Sequence, residues 1–153
     1  MKENYSFIPS RELKAFSKLI ENQYGKVPEL FSKLAFIQGK EKIYAITRDV
    51  GEIDLKKLRI NSIGLYIAEV KNDQLRLSIE GAQLIGPSAT KNVCEINTEQ
   101  LKKWFKGEDI EVEKEYSGFA ILKHGNDYVG SGKYKEGYIL NFVPKARRLI
   151  EVH

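Results

Sequence analysis

Apolar residues recur at helical spacing near the start of the chain and alternate with polar residues farther on. Between Ser10 and Gly25 the apolar positions fall on one face of a helix, which predicts an amphipathic helix capped by Ser10 and ended by Gly25. This apolar face consists of Leu13, Phe16, Leu19, Ile20 and Tyr24. A short second helix is expected to begin within residues 28–34.

The rest of the first half carries strand patterns. Residues 42–47 and 64–70 are apolar runs, and residues 75–79 alternate with period two, so three strands are predicted. The polar residues 71–74 are a turn between the last two strands. Residues 50–58 fit either a helix or a loop. Together these patterns predict a small α/β domain over residues 1–88.

A cluster of helix and strand breakers at residues 86–90 is the predicted domain boundary. The second domain is expected over residues 91–153. It begins with a short helix that Asn97 caps and Gly107 ends, and its apolar face consists of Leu101, Trp104 and Phe105.

Short strands with frequent turns follow that helix. They are predicted over residues 110–113, 118–123, 128–133 and 138–143. Residues 124–127 and 135–137 are predicted turns. One helix with several short strands favours a small β-barrel. The chain as a whole is therefore predicted to have an α+β fold.

The positive charge of the chain is concentrated near its end. The 153 residues contain 25 Lys and Arg against 21 Asp and Glu, a net charge of +4. Residues 123–148 alone hold six cations and two acids, which is the same net charge. Aromatic residues lie between these cations, a combination that suits a polyanion with exposed bases. The alternative is a solvated edge hairpin whose lysines prevent aggregation.

The same region contains a motif of spaced glycines, polar residues and cations that resembles a family signature. Its residues are Gly130, Gly132, Lys133, Gly137, Asn141, Pro144 and Arg148. This pattern resembles the signature of the RNA-binding, PUA-like tail of Sun/Fmu-type ribosomal-RNA cytosine-5 methyltransferases. One departure is Leu140, where that signature usually has lysine.

The segment upstream extends the resemblance. Residues 97–112 are similar to the helix, glycine turn and second strand that open a PUA domain, so the resemblance covers about Asn92 to His153. The whole chain also resembles short archaeal proteins, grouped with ribosome biogenesis, that carry a PUA domain and no methyltransferase domain. The implied fold of the second domain is a PUA-like pseudo-β-barrel.

The resemblance also implies which residues contact RNA. In PUA domains the first helix, the glycine turn after it and the last strand form the RNA-binding face. The candidate RNA-binding residues are Lys102, Lys103, Lys106, Gly107, Gly130, Gly132, Lys133, Lys135, Asn141, Lys145, Arg147 and Arg148.

Several of these candidates have a structural interpretation as well. Lys102, Lys103 and Lys106 would stabilise the C-terminus of the helix electrostatically. Gly130 and Gly132 permit a bend in a strand or a close approach of another group. Asn141 would either satisfy a buried backbone group or contact a base edge. Trp104 could stack on a base, but its position beside Leu101 and Phe105 favours the core.

No catalytic or metal-binding pattern stands out. Cys94 is the single cysteine and is expected to be a buried structural residue; with two histidines it makes no Cys/His zinc cluster. The chain is too short for a methyltransferase domain beside the predicted ones. Residues 127–134 lack the P-loop pattern. We therefore expect no cofactor and no enzymatic activity.

The sequence leaves two main functional hypotheses. The first is an RNA-binding accessory protein that acts on structured ribosomal or transfer RNA in ribosome biogenesis or RNA modification. Its first domain would contact RNA or hold a partner, such as an RNA-modifying enzyme or assembly factor. The alternative is a protein-interaction module with little RNA affinity, and an enzyme on small molecules is a weaker third. The chain has neither a signal core nor a long apolar run, which predicts a cytoplasmic protein.

Overall fold

The computed structural model describes residues 5–47 and 64–148, which form two five-stranded sheets. We refer to the described residues up to 88 as the N-terminal half and to residues 91–148 as the C-terminal half. The first sheet contains strands β1 Ser6–Phe7, β2 Leu34–Gln38, β3 Lys42–Thr47, β4 Leu65–Lys71 and β5 Gln74–Leu77. The second contains β6 Val93–Glu95, β7 Ile110–Glu111, β8 Phe119–His124, β9 Asp127–Lys135 and β10 Tyr138–Leu140.

Three α-helices accompany these sheets within residues 5–47 and 64–148. They are α1 Ser10–Tyr24, α2 Ile79–Ile85 and α3 Thr98–Phe105. Short 3-10 helices cover Glu29–Lys33, Gly86–Ser88 and Lys145–Arg147. None of the helices within the described ranges is long and apolar enough to cross a membrane.

The two sheets differ in topology. In the first, β1 to β5 pair in chain order and every pair is antiparallel. The second has the order β6-β8-β9-β10-β7, with β6 parallel to β8 and the other pairs antiparallel. Among the described residues β6 and β7 are its edge strands, so hydrogen bonds do not close it into a complete barrel. The predicted α+β class is confirmed.

Each half has its own apolar core. In the N-terminal half, α1 places Phe16, Ile20 and Tyr24 against the first sheet. In the C-terminal half, Trp104 of α3 is fully buried among side chains of β8, β9 and β10. The prediction that Trp104 belongs to the core is therefore confirmed.

The two halves also pack against each other, along a contact that we call the seam. Its residues are Tyr24, Leu77, Phe119, Ile121 and Ser131. The Tyr24 hydroxyl donates a hydrogen bond of 2.8 Å to the carbonyl of Phe119, and the side chain of Ile121 is buried in the N-terminal core. Ser131 Oγ donates to the carbonyl of Leu77 at 2.9 Å and accepts from its amide at 3.2 Å. A buried hydroxyl thus satisfies both backbone groups of a residue in the other half.

Most predicted elements occur where the sequence placed them, with several differences. Helix α1 begins at Ser10 itself, so its N-cap is Pro9 and not Ser10, and no side chain caps it. Residues 29–33 form a 3-10 helix, and β2, which the sequence pattern did not indicate, begins at Leu34. The strand predicted over residues 75–79 ends at Leu77, because Ser78 caps α2 by accepting from the amide of Gly81. The strands predicted over 110–113 and 138–143 end at Glu111 and Leu140. The helix or loop expected at residues 50–58 lies outside the described residues. The boundary between residues 88 and 91 stays a prediction.

Candidate nucleic-acid interface

Helix α3 carries the first group of predicted RNA-binding residues. Its N-terminus is held by a capping box, in which Asn97 accepts from the amide of Gln100 and the Gln100 side chain accepts from the amide of Asn97. At the other end Lys103 and Lys106 are exposed and Lys102 is partly buried. The chain leaves the helix at Gly107, whose φ of +93° lies in the left-handed region that favours glycine.

Asn141 holds the end of this helix in place. Its Nδ2 donates to the carbonyls of Trp104 at 2.8 Å and Glu108 at 2.9 Å, and its Oδ1 accepts from the amide of Val143 at 2.8 Å. The backbone amide of Asn141 in turn donates to Asp109 Oδ1 at 2.8 Å. Both amide hydrogens are thus bound to backbone carbonyls, as the structural interpretation of Asn141 requires.

Arg148 brings the C-terminal segment to the same place. Its Nε donates to the carbonyl of Val143 at 2.9 Å, and its side chain lies directly against Gly107. A Cβ at Gly107 would approach Arg148 Nε to 2.6 Å, so the glycine makes room for the arginine. The end of α3 and the end of the described chain therefore form one basic surface, which we call the helix-end patch: Lys103, Lys106, Gly107 and Arg148.

Arg147 and Lys145 lie on the 3-10 helix that follows Pro144. The strand predicted over residues 138–143 does not extend to them, because β10 ends at Leu140 and Asn141 turns the chain toward α3. Arg147 reaches the N-terminal half, where it forms an ion pair with Glu80 of α2. Lys145 is exposed.

Gly130 and Gly132 accommodate the indole of Trp104. A Cβ at Gly130 would lie 3.4 Å from Trp104 Nε1, and one at Gly132 would lie 3.0 Å from Trp104 Cη2 and 2.4 Å from the carbonyl oxygen of Leu140. Trp104 Nε1 donates to the carbonyl of Val129 at 3.0 Å. Both glycines are buried, so the Gly-x-Gly spacing has a packing reason in this molecule.

Lys133 and Lys135 lie on the other face of β9. Since side chains alternate along a strand, they share the face of Ser131, which contacts the N-terminal half. Lys133 is partly buried, whereas Lys135 is exposed beside the turn at Glu136 and Gly137. The fold thus gathers Lys103, Lys106 and Arg148 at one place and leaves Lys133 and Lys135 at another. Direct RNA contact by any of the twelve candidates stays a prediction.

The sequence did not indicate a further pair of residues, the basic Arg76 and the aromatic Phe142. The guanidinium carbon of Arg76 lies 4.6 Å from the ring centroid of Phe142, and Arg76 Nη2 donates to the Phe142 carbonyl at 3.2 Å. The Phe119 ring lies 5.5 Å from that of Phe142. These residues come from different halves, and no local pattern marks them. The alternation of β5 would at most have shown that Arg76 faces away from Leu75 and Leu77.

Cys94 is buried, as expected, on the parallel edge strand β6. Burial raises the pKa of its thiol, and this effect outweighs the opposing influences of Tyr116 and Lys114. A thiol with a raised pKa is a poor nucleophile near neutral pH, because the thiolate is the reactive form. Cys94 therefore lacks the environment of a catalytic cysteine.

The C-terminal half matches a known family of domains. Residues 91–149 match the family described as the PUA domain of methyltransferase RsmF. This match covers the helix-end patch, the Gly-x-Gly strand and Asn141.

Similarity to individual proteins extends beyond this domain. The chain is 27% identical to the ribosomal RNA small subunit methyltransferase F of Aeromonas salmonicida over 144 residues. The aligned residues make up 92% of this chain and 29% of that protein. The corresponding protein of Vibrio cholerae is 29% identical over 92 residues, or 60% of this chain and 20% of that protein. The chain thus spans less than a third of these relatives. They are bacterial, and the resemblance to short archaeal proteins stays a prediction.

Proposed function

We propose that this chain, whose residues 91–149 form a PUA domain of the RsmF methyltransferase type, is a non-catalytic protein that binds structured RNA. Ribosomal RNA is the foremost candidate, because the similar proteins are named as methyltransferases of small-subunit ribosomal RNA. Transfer RNA is the second. The protein would act in the cytoplasm, in ribosome biogenesis or RNA modification, alone or beside an RNA-modifying enzyme.

The helix-end patch is the observation that supports this proposal most directly. Lys103 and Lys106 are exposed at the end of α3, and Arg148 is held against Gly107 beside them. Cations fixed on rigid elements suit phosphate contacts, which supply most of the affinity of proteins for nucleic acids and little sequence information. RNA recognised by its shape fits such a patch.

The absence of catalysis is proposed on separate grounds. Cytosine-5 chemistry requires a nucleophilic cysteine that adds to the pyrimidine ring. Cys94 is buried and its pKa is raised, so it does not meet that need. The protein would instead contribute binding and orientation.

A salt titration of RNA binding tests the proposal. We expect Lys103→Ala combined with Lys106→Ala to weaken binding of a structured RNA at low salt and to lower the slope of log affinity against log salt by roughly 1–2. The matched control is Lys14→Ala combined with Lys18→Ala, which removes two exposed lysines from α1. This control should change the slope much less.

The possible results separate the hypotheses. Equal losses in both double variants would indicate diffuse attraction to a basic protein, and the helix-end patch would not be the site. An isolated protein that binds no RNA at low salt would overturn the proposal in favour of the protein-interaction module.

A further inference from the structure

A small pocket opens between the two halves, beside the segment that follows β10. Its volume is about 170 Å³, and we call it the seam pocket. Gly130 and Ser131 of β9 form part of its lining. The side chains that matter for its chemistry are Tyr66, Arg76, Glu80, Phe142 and Arg147.

One wall of the seam pocket is a flat aromatic and cationic surface. The Arg76 guanidinium lies over the Phe142 ring at 4.6 Å and is held there by its hydrogen bond to the Phe142 carbonyl. Both side chains remain partly exposed. Unpaired bases in RNA stack on aromatic rings and on arginine guanidinium planes. This wall therefore has the chemistry that an unpaired base requires.

A second cation stands at the mouth of the pocket. Arg147 follows Pro144 and pairs with Glu80 across the two halves, yet its side chain is 45% exposed. A guanidinium in this position can also contact a phosphate oxygen of the nucleotide whose base enters the pocket. The pocket thus combines a stacking surface with a cation at its rim.

The size and lining of the pocket narrow the class of ligand. At about 170 Å³ it is smaller than the roughly 300–1,000 Å³ of sites that enclose drug-sized molecules, so it suits one planar ring system. The hydroxyls of Ser78 and Ser131 are already bonded to the backbone groups of Tyr66 and Leu77. The lining therefore offers flat surfaces more than free hydrogen-bonding groups, and that favours stacking over base-specific contacts.

The pocket lies next to the proposed RNA surface. Pro144 lines it, and Arg148, four residues farther along, belongs to the helix-end patch. We infer that the seam pocket receives one unpaired base of the bound RNA, stacked on Arg76 and Phe142, while the helix-end patch contacts the phosphates. This inference rests on the proposed function and adds that the RNA has a bulged or looped nucleotide near its contact with α3.

The test compares two hairpin RNAs that differ only in one bulged nucleotide. The full chain should bind the bulged hairpin about tenfold more tightly than the fully paired one. Phe142→Leu keeps an apolar side chain and removes the flat ring, so it should abolish the preference for the bulged hairpin. Arg76→Lys, which keeps the charge and removes the planar group, should reduce the preference in the same way.

A matched control removes a different exposed ring. Phe7 of β1 is 36% exposed in the N-terminal half, and Phe7→Leu should leave the preference intact. Thermal melts of all three variants show whether they are folded, and the ratio of the two affinities is independent of the fraction of active protein. A fluorescent base analogue at the bulge should change its emission on binding to the wild type, and not on binding to Phe142→Leu.

Failure of this inference differs from failure of the proposed function. If the chain binds both hairpins equally, or if Phe142→Leu keeps the preference, the pocket assignment is overturned and RNA binding stands. If neither hairpin binds at low salt, the proposed function is overturned and the pocket assignment falls with it.

Discussion

At the scale of single residues, the two glycines of β9 leave room for one large side chain, that of Trp104. Trp104 is fully buried, and its ring lies against Gly130 and Gly132. Gly130 adopts a φ of +131°, where other residues are strained, and Gly132 lies too close to the Leu140 carbonyl to carry a Cβ. The Gly-x-Gly spacing of the PUA-like motif therefore also accommodates the side chain of Trp104.

Gly132→Ala should destabilise the C-terminal half. The added Cβ would meet the Leu140 carbonyl and the Trp104 ring, and such overpacking costs about 1–3 kcal/mol of the free energy of unfolding. Urea denaturation followed by fluorescence measures this cost directly, since Trp104 is the chain's single tryptophan. The control is Gly125→Asn, at a left-handed turn position with no atom within 4 Å of the added Cβ, which should cost far less. Equal stability of Gly132→Ala and wild type would refute the packing role.

At the scale of elements, the end of α3 is held by the residues that follow β10. Asn141 binds the carbonyls of Trp104 and Glu108, and Arg148 packs on Gly107. Helix ends leave carbonyls without helical partners. Here the Trp104 carbonyl accepts from the amide of Gly107 and also from the Asn141 side chain, which lies just after β10. The position of Lys103 and Lys106 on the surface depends on this anchoring.

Asn141→Ala should therefore act on stability first. It removes three side-chain hydrogen bonds, and we expect it to lower the free energy of unfolding by roughly 2 kcal/mol. RNA affinity should fall only as far as the end of α3 is loosened, and stabilising osmolytes should restore part of it. A variant that kept full stability but lost RNA affinity would instead identify Asn141 as a direct contact to RNA. Denaturation and binding curves on the same preparation decide between these outcomes.

At the scale of the whole molecule, the seam ties the two halves together through buried groups. Tyr24 of α1 reaches the carbonyl of Phe119, and Ser131 binds both backbone groups of Leu77. Gln23 adds hydrogen bonds to the carbonyls of Ser117 and Phe119. These hydrogen bonds and the burial of Ile121 in the N-terminal core favour the packed arrangement of the two halves. The seam pocket lies between walls that these contacts join.

The stability of the chain should fall as the pH rises above about 10, partly because of Tyr24. Burial raises the pKa of Tyr24 above its usual value of 10.0, so the unfolded state loses this proton at a lower pH than the folded state. The contribution of Tyr24 to stability is thus fully present below its unfolded-state pKa of 10.0. It declines as the pH rises from that value toward the higher pKa of the folded state. Tyr24→Phe should lower stability by about 1 kcal/mol at neutral pH, through the lost hydrogen bond, and should show a shallower alkaline decline.

The alkaline prediction has a matched control. Tyr138 is 44% exposed, and Tyr138→Phe should leave the free energy of unfolding at neutral pH nearly unchanged. Tyr66, whose pKa burial raises to about 12, remains in every variant and preserves part of the decline. Denaturant midpoints measured from neutral pH to about pH 11 give the profiles. Parallel profiles for wild type and Tyr24→Phe would show that Tyr24 does not contribute.

Local sequence patterns were sufficient for α3 and for the hairpins of β8, β9 and β10, but they did not indicate β6. Asn97, the apolar residues of α3 and Gly107 predicted that helix, because caps and helical periodicity act within a few residues. The turns at Gly125 and Gly137 predicted the hairpins of β8, β9 and β10 for the same reason. Helix α2 was not predicted, since Ser78 and Ile79 also continue the period-two pattern of β5.

The sequence by itself thus determined the order of most strands and helices, the basic end of the chain and its PUA signature. Only the tertiary structure decided what individual residues of that signature do: Gly132 clears space for Trp104, and Asn141 caps α3. It also decided that Arg76 meets Phe142 across the seam, 66 positions along the chain. Local propensities act through neighbours in sequence, whereas these contacts depend on how two separately patterned sheets pack, which no short window of sequence contains.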